Sequence, residues 1–418
     1  MKLLSKSLGE IKPTQNEERH LSNVVSEFLE KLNSSLSSGK AVVGGSAAKG
    51  TWLRNKYDVD VFVVYDYKIF SGKSDSLSEI LAKDVVKKFP KAERLHGSRD
   101  YFKINFKGFE FEVVPVLNIK NAKMAKNITD VSLLHAKWVM KHKKIADDIR
   151  LLKQFCKSAN VYGAESYIRG FSGYICEILV IYYGSFLDAL KAGAKWNGKV
   201  ILDVENHYKG KNPLLFLNES KILSPIVIID PVQMERNAAA AISPEKFEIF
   251  VLRCRDFLKN PSEKFFQVKN LSLEEIKKTA GKNRLCIFIA EPYEGKIDVI
   301  GSKLLKVFEH ISQIFSDEDF AVNKSGWEWK RDSQAIFYFV FSGKNLPDIK
   351  IHQGPELRLE EHVLKFKKMH KNTYVKNRRI YAKINRKHTS PESLAREIIK
   401  DEYVLERVRK INLIKWKK

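Results

Sequence analysis

The run Asp58-Val-Asp-Val-Phe-Val-Val-Tyr65 constrains this chain more than any other segment. It predicts a strand, and on a strand residues i and i+2 share a face. Asp58 and Asp60 therefore project together while Val59 and Val61 bury the opposite side. Alone, an Asp-x-Asp pair is most often surface charge. Here it follows Ala41-Val-Val43, which predicts a short buried strand, and the turn Gly44-Gly45-Ser46-Ala47-Ala48-Lys49-Gly50-Thr51-Trp52, with a helix opening over 47–52. A glycine turn at a helix start offers free N–H groups to an anion. Ser46 adds a hydroxyl, and Lys49 adds a point charge for a phosphate. The Gly-x-x-x-x-Gly-Lys-Ser/Thr spacing of the P-loop is absent.

Paired carboxylates suit magnesium, which takes one or two of them together with substrate phosphates. Two metals acting on one displacement need a further carboxylate from another strand. Phe109-Glu110-Phe111-Glu112-Val-Val-Pro115 offers two candidates on one strand face, Glu110 and Glu112.

Periodicity organises the remainder. Helices are expected over 15–36 and 75–89, and a hairpin of 101–106 with 109–116 turning at Lys107-Gly108. Strand, helix and hairpin mixed in this way predict a small α/β domain with a mixed sheet. From 128 to 260 the pattern reads as mostly helical, clearest over 165–191 and 244–258. Beyond Pro261 strands are expected at 285–290 and 334–341, with helices at 297–316 and 391–409. The fold class is thus α+β and multidomain, with expected divisions 1–145, 146–262 and 263–418.

Charge narrows the partners. Lys and Arg number 74 against 50 Asp and Glu, a net +24, which favours polyanions through counterion release. Half of that surplus lies after residue 342. Residues 365–387 hold ten basic side chains and no acidic one, among them Lys365, Lys367, Lys368, Lys371, Arg378, Arg379 and Arg386. Phe366, Tyr374 and Tyr381 are interleaved, as stacking surfaces in a nucleic-acid site would be. A solvated helix face followed by a strand would give the same pattern. No apolar run of about 18 residues argues for a membrane span, and the N-terminus lacks the features of a secretory signal. Cys156, Cys176, Cys254 and Cys286 form no Cys-x-x-Cys pair, which argues against zinc and disulfides and fits a reducing cytoplasm.

Gly-Ser-x-Ala-x-x-Thr-Trp, then Asp-x-Asp-Val-Phe-Val, then acid-Val-Val-Pro resembles the polymerase-β-type nucleotidyltransferase superfamily, and within it the archaeal-type, class I CCA-adding enzymes. The resemblance continues through Leu133-Leu-His135-x-x-Trp-Val, Asp147-Asp-x-Arg150-Leu-Leu-Lys153-Gln-Phe, Tyr162-Gly-Ala-Glu165, Arg169-Gly-Phe-Ser-Gly-Tyr-x-x-Glu177 and Asp230-Pro-Val-x-x-x-Arg236. It implies a polymerase-β-like catalytic head, a helical central domain and an α/β C-terminal RNA-binding region. It implies untemplated addition of C, C and A to the tRNA 3′ end from CTP and ATP, with two magnesium ions on Asp58, Asp60 and an acid before Val-Val-Pro. Spacing to the proline favours Glu112 over Glu110, although the family has Asp there.

The same resemblance implies that Ser46, Lys49 and Lys153 hold phosphates, that His135 and Tyr162 contact sugar or phosphate, and that Arg236 reads the base. Without it, His135 reads as a core histidine, Lys153 as solvated, Tyr162 as helix-end packing and Arg236 as a partner of Asp230. Glu165, Arg169 and Glu177 read as a structural packing and salt-bridge set. Expected partners are the tRNA acceptor stem and 3′ end, CTP and ATP, with no membrane; a homodimer stays open. A poly(A)- or oligoadenylate-type transferase would share the metal-binding acids without the base selection. A catalytically inactive RNA-binding relative would share only the fold.

Overall fold

The computed structural model describes residues 2–55, 58–269, 271–331 and 334–414. The chain folds as two compact units, Met1–Lys269 and Asn270–Lys418.

In the first unit, β1 (Lys40–Val43), β2 (Asp58–Tyr65), β3 (Glu93–Leu95), β4 (Tyr101–Phe106) and β5 (Phe109–Leu117) form a five-stranded sheet in the order β1-β2-β5-β4-β3. β2 and β5 run parallel and every other pair antiparallel, so the sheet is mixed. One face is covered by the helices Gln15–Asn33 and Leu77–Lys88. Leu21, Val24, Phe28 and Leu32 from the first, and Leu77, Leu81 and Val85 from the second, pack on Val59, Val61, Phe111 and Val113. Phe28 lies flat on Phe111, ring centroids 3.8 Å apart. Alternation then leaves Asp58, Asp60, Glu110 and Glu112 together on the opposite face.

The same unit holds a second core, built around the helices Ala146–Ser158, Gly173–Tyr183, Phe186–Lys195 and Pro244–Lys259. The helix expected over 165–191 is two helices bent by 95°. Ser172 caps the first at the Ile175 N–H, and Gly184, at φ +88°, ends it. Ser185 then caps the second at the Asp188 N–H. The helix expected over 47–52 runs instead over Gly45–Lys49 and stops at Gly50, whose φ of +66° leaves the helical region. β6 (Val200–Asp203), β7 (Ile226–Asp230) and β8 (Gln233–Asn237) form a small sheet within the segment expected to be mostly helical. Every residue of β7 is buried, so it lacks the alternation that marks a strand.

In the second unit, β9 (Arg284–Pro292), β10 (Val322–Glu328), β11 (Ala335–Phe341) and β15 (Val408–Ile414) form a sheet in the order β10-β11-β9-β15. The helices Ile297–Asp317 and Pro391–Ile398 contribute to its core. β12 (Ile349–Glu356), β13 (Thr373–Lys376) and β14 (Arg379–Asn385) form a smaller sheet backed by the helix Glu360–Met369. The expected helix over 391–409 ends at Ile398, and its last residues open β15. A bulge between Val408 and Lys410 puts buried Val408 and Ile411 three residues apart, which imitates helical spacing. No single described helix is long and apolar enough to cross a membrane.

Candidate active site

The parallel register of β2 and β5 sets Asp58 opposite Glu110 and Asp60 opposite Glu112. Four carboxylates therefore occupy two adjacent rungs of one open sheet face. Their environments differ. Lys103, on the neighbouring β4, holds Glu110 in an ion pair at 2.6 Å. Burial, together with the charges of Asp60, Asp58 and Glu110, pushes Glu112 up to about 7. Burial also raises Asp60, with Asp58 adding to the shift and Lys49 opposing it. Crowded, partly desolvated carboxylates that resist ionising side by side are the donor chemistry a divalent cation neutralises. Among the described residues no three acidic, histidine or cysteine side chains converge tightly enough to hold an ion unaided. A magnesium ion would need phosphate and water oxygens beside these carboxylates, its ordinary coordination.

The glycine turn lies against this face. β1 ends at Val43, the Gly44 N–H bonds the Asp60 carbonyl at 2.8 Å, and the helical turn Gly45–Lys49 follows. A Cβ on Gly44 would enter the Phe62 ring, and one on Gly45 would enter the Asp60 carboxylate. Ser46 is half-buried in the first turn.

Lys49 and Lys153 meet on Glu177. Lys49 Nζ donates to Glu177 Oε2 at 2.6 Å. Lys153 Nζ donates to Glu177 Oε1 at 2.8 Å and to Thr51 Oγ1 at 2.9 Å, while the Thr51 hydroxyl donates to Glu177 Oε1 at 2.8 Å. Glu177 is fully buried and Lys153 nearly so. Burial works to raise the Glu177 carboxyl, yet the two lysines hold it down at about 2. Burial pulls the Lys153 ammonium below its usual range against the attraction of Glu177. Lys153 is thus not the solvated lysine its helix position suggests. Tyr162, paired with Phe171 in an isolated parallel bridge, places its hydroxyl beside Gly173, which Lys153 also approaches.

A second buried acid organises the remaining residues. Asp230, at the end of β7, accepts from Arg236 Nη1 at 2.5 Å and from the Tyr174 hydroxyl at 3.3 Å, and lies 3.0 Å from His135 Nε2. Burial opposes its ionisation, but His135 and Arg236 keep its carboxyl below the usual range. His135 packs on the Tyr174 ring, centroids 4.2 Å apart, and Lys49 Nζ lies 5.9 Å from the centre of the same ring. Lys49 and His135 therefore share one tyrosine, whose hydroxyl bonds the same carboxylate that holds Arg236. Glu177, Thr51, Tyr174 and Asp230 are the residues that motif reading left out of the site. The signal for Glu177 was a lone acid on a strongly apolar helix.

In the second unit Lys365, Lys367 and Lys368 are exposed on the helix Glu360–Met369, with Lys371 just after it and Arg378 at the turn between β13 and β14. Arg379 is partly engaged by Glu356 at 3.1 Å. Arg386 departs from the expected open patch: its largely buried guanidinium pairs with Asp319 at 2.8 Å and ties two segments of the unit together. Tyr374 and Tyr381 lie cross-strand and stacked, centroids 5.6 Å apart.

A mixed sheet with a glycine turn and carboxylates on neighbouring parallel strands defines the head of a nucleotidyltransferase. Residues 25–135 match the family described as nucleotidyltransferase domain, 147–267 that of the tRNA nucleotidyltransferase second domain, and 288–408 that of the CCA-adding enzyme C-terminal domain. A CCA-adding enzyme of Methanosarcina mazei is 31% identical over 408 residues, covering 93% of this chain and 87% of the relative. One of Nanoarchaeum equitans is 40% identical over 220 residues, 52% of this chain and 55% of the relative. A solved cytoplasmic RNA terminal U-transferase aligns over 64% of this chain and 98% of its own, with a TM-score of 0.49 and 14% identity. The chain belongs to the archaeal-type CCA-adding enzymes, a family of tRNA nucleotidyltransferases.

Proposed function

We propose that this enzyme adds cytidine, cytidine and adenosine in turn to the tRNA 3′ end, from CTP and ATP, without a nucleic-acid template. The observation that carries the reading is the in-register set Asp58, Asp60 and Glu112 facing the turn that bears Ser46 and Lys49. In each cycle the terminal 3′-oxygen attacks the α-phosphorus, the bond to the bridging oxygen breaks, and pyrophosphate leaves. Asp58, Asp60 and Glu112 would hold two magnesium ions, which supply activation of the 3′-hydroxyl and charge stabilisation of the departing pyrophosphate. Ser46 and the first turn present donors to the triphosphate, and Lys49 and Lys153 neutralise its charge. His135 and Tyr162 contact sugar or phosphate, and Arg236, steadied by Asp230, donates to the base. Catalysis by such a site is positioning and charge neutralisation.

Residues 1–145 are read as the catalytic part, 146–262 as the part that completes the base pocket, and 263–418 as the part that grips the acceptor stem. The grip relies on A-form shape and phosphates, because side chains do not enter the deep major groove of RNA. We place the enzyme in the cytoplasm. The test is incubation of the full chain with tRNA lacking its last three residues and with CTP, ATP, UTP and GTP singly and together. Two cytidines from CTP alone and a terminal adenosine only after both are expected. ATP-dependent tailing of unrelated RNA would overturn the reading in favour of a poly(A)-type transferase.

A further inference from the structure

We propose that Glu177 is a positioning residue, an internal counter-anion that holds Lys49 and Lys153 together and aims both ammonium groups at the nucleotide triphosphate. The inference rests on the nucleotide reading of the site above.

Three observations carry it. Glu177 is fully buried at the middle of the apolar helix Gly173–Tyr183, where an acid is costly unless its oxygens are satisfied. Both oxygens are satisfied, and all their partners come from other elements: Lys49 and Thr51 from the glycine-turn segment, and Lys153 from the helix Ala146–Ser158. One of the two lysines it gathers, Lys49, ends the same short helix whose Gly45 abuts the Asp60 carboxylate. One carboxylate thus gathers two lysines from separate elements beside the turn that abuts the proposed metal-binding Asp60.

The arrangement also solves a problem of preparation. Two lysines held close together without an anion repel each other. With Glu177 between them both are held in place and oriented while the site is empty. An arriving triphosphate then meets preset geometry rather than two flexible side chains. Glutamine cannot reproduce this, because its amide offers one accepting oxygen and turns N–H donors toward the other ammonium. Aspartate keeps the charge but is one methylene short of spanning both lysines.

The test is steady-state kinetics of full-length Glu177→Gln and Glu177→Asp on tRNA lacking its terminal adenosine and on tRNA lacking all three residues. Lys49→Met/Lys153→Met is measured with and without Glu177→Gln. Each variant's fold is checked by its thermal transition, and the Asp variant carries the test if the Gln variant does not fold. Expected is a rise in KM of about tenfold or more, by the same factor for CTP and ATP because the triphosphate is common to both, with kcat changed less than about threefold. In the background lacking both lysines, Glu177→Gln adds nothing further. The inference is overturned if Glu177→Gln leaves KM within twofold, if CTP and ATP are affected unequally, or if its full effect persists without the lysines. Unchanged KM in the lysine variant would instead remove the nucleotide reading and this inference with it. Raised KM there beside unchanged KM in both Glu177 variants overturns the inference alone.

Discussion

Gly45 and Asp60 are packed so closely that a single methyl group on Gly45 would occupy the place of the Asp60 carboxylate. Gly45 also has a φ of +55°, which an L side chain adopts only with strain. Gly45→Ala should therefore cost about 1–3 kcal/mol in stability and displace Asp60. Displacing a reacting group by about 1 Å costs on the order of 100-fold in rate. Gly50→Ala is the control, since its φ of +66° is equally strained but nothing lies within 4 Å of the added methyl. Single-turnover cytidine addition should fall in the first variant and persist in the second. Equal activities would detach Gly45 from the chemistry.

Glu110 and Glu112 share a strand face but not a fate. Lys103 occupies Glu110, whereas Glu112 stands opposite Asp60 and is raised by burial and then by that neighbouring charge. Glu112→Ala should lower the rate by more than about 100-fold, since even the outer partners of metal ligands cost 10–100-fold. Glu110→Ala should cost less than about tenfold. Activity measured against magnesium concentration separates the two, because only loss of a ligand shifts the metal dependence. The reverse order of severity would make Glu110 the third ligand.

These contrasts mark what local sequence carries and what it does not. The β2 strand is legible to the residue, because valine at alternate positions needs a covered face and the two acids need an open one. The role of Gly45 is not, since its constraint comes from the residue fifteen positions on. Glu177 is further from reach: its partners lie 24, 126 and 128 positions away, so only the fold reveals that they converge. His135 and Asp230, 95 apart, are the same case. Two departures from expectation have local causes. β7 is apolar on both faces and so carries no period of its own, and the bulge in β15 spaces its apolar residues as a helix would. Gly184, which ends the helix Gly173–Tyr183, is plain in the sequence, but apolar residues on both sides of it suggest continuity.

The Glu177 carboxyl, held at about 2 against an ordinary 4.5, links stability to acid. A depressed folded-state value means that the unfolded chain takes up the proton first as pH falls. The contribution is therefore complete above about 4.5 and is lost progressively as pH falls toward 2. The difference corresponds to about 3 kcal/mol. Urea unfolding of wild type and Glu177→Gln at neutral pH should show the variant less stable by roughly that amount or more, because buried Lys153 and partly buried Lys49 lose their anion. The gap should narrow between pH 4.5 and 2. A gap that stays constant with pH would mean that shape, and not charge, sets the cost of the substitution.

The exposed lysines of the second unit should act on RNA alone. Lys365, Lys367, Lys368 and Lys371 are solvent-facing, while the neighbouring Arg386 is committed to Asp319. Removing a lysine that neutralises one phosphate reduces the slope of log affinity against log salt by about 0.7–0.9. Replacing the four lysines with alanine should therefore flatten the salt dependence of tRNA binding by about 3 if all four meet phosphates. KM for CTP at saturating tRNA should be unchanged. Arg386→Ala should instead lower stability by about 1 kcal/mol with little change in slope. Filter binding from low to moderate salt, alongside thermal unfolding, distinguishes the two outcomes. A flat response to the fourfold change would move the RNA contact off this helix and toward the open β13–β14 face, where Tyr374 and Tyr381 lie stacked.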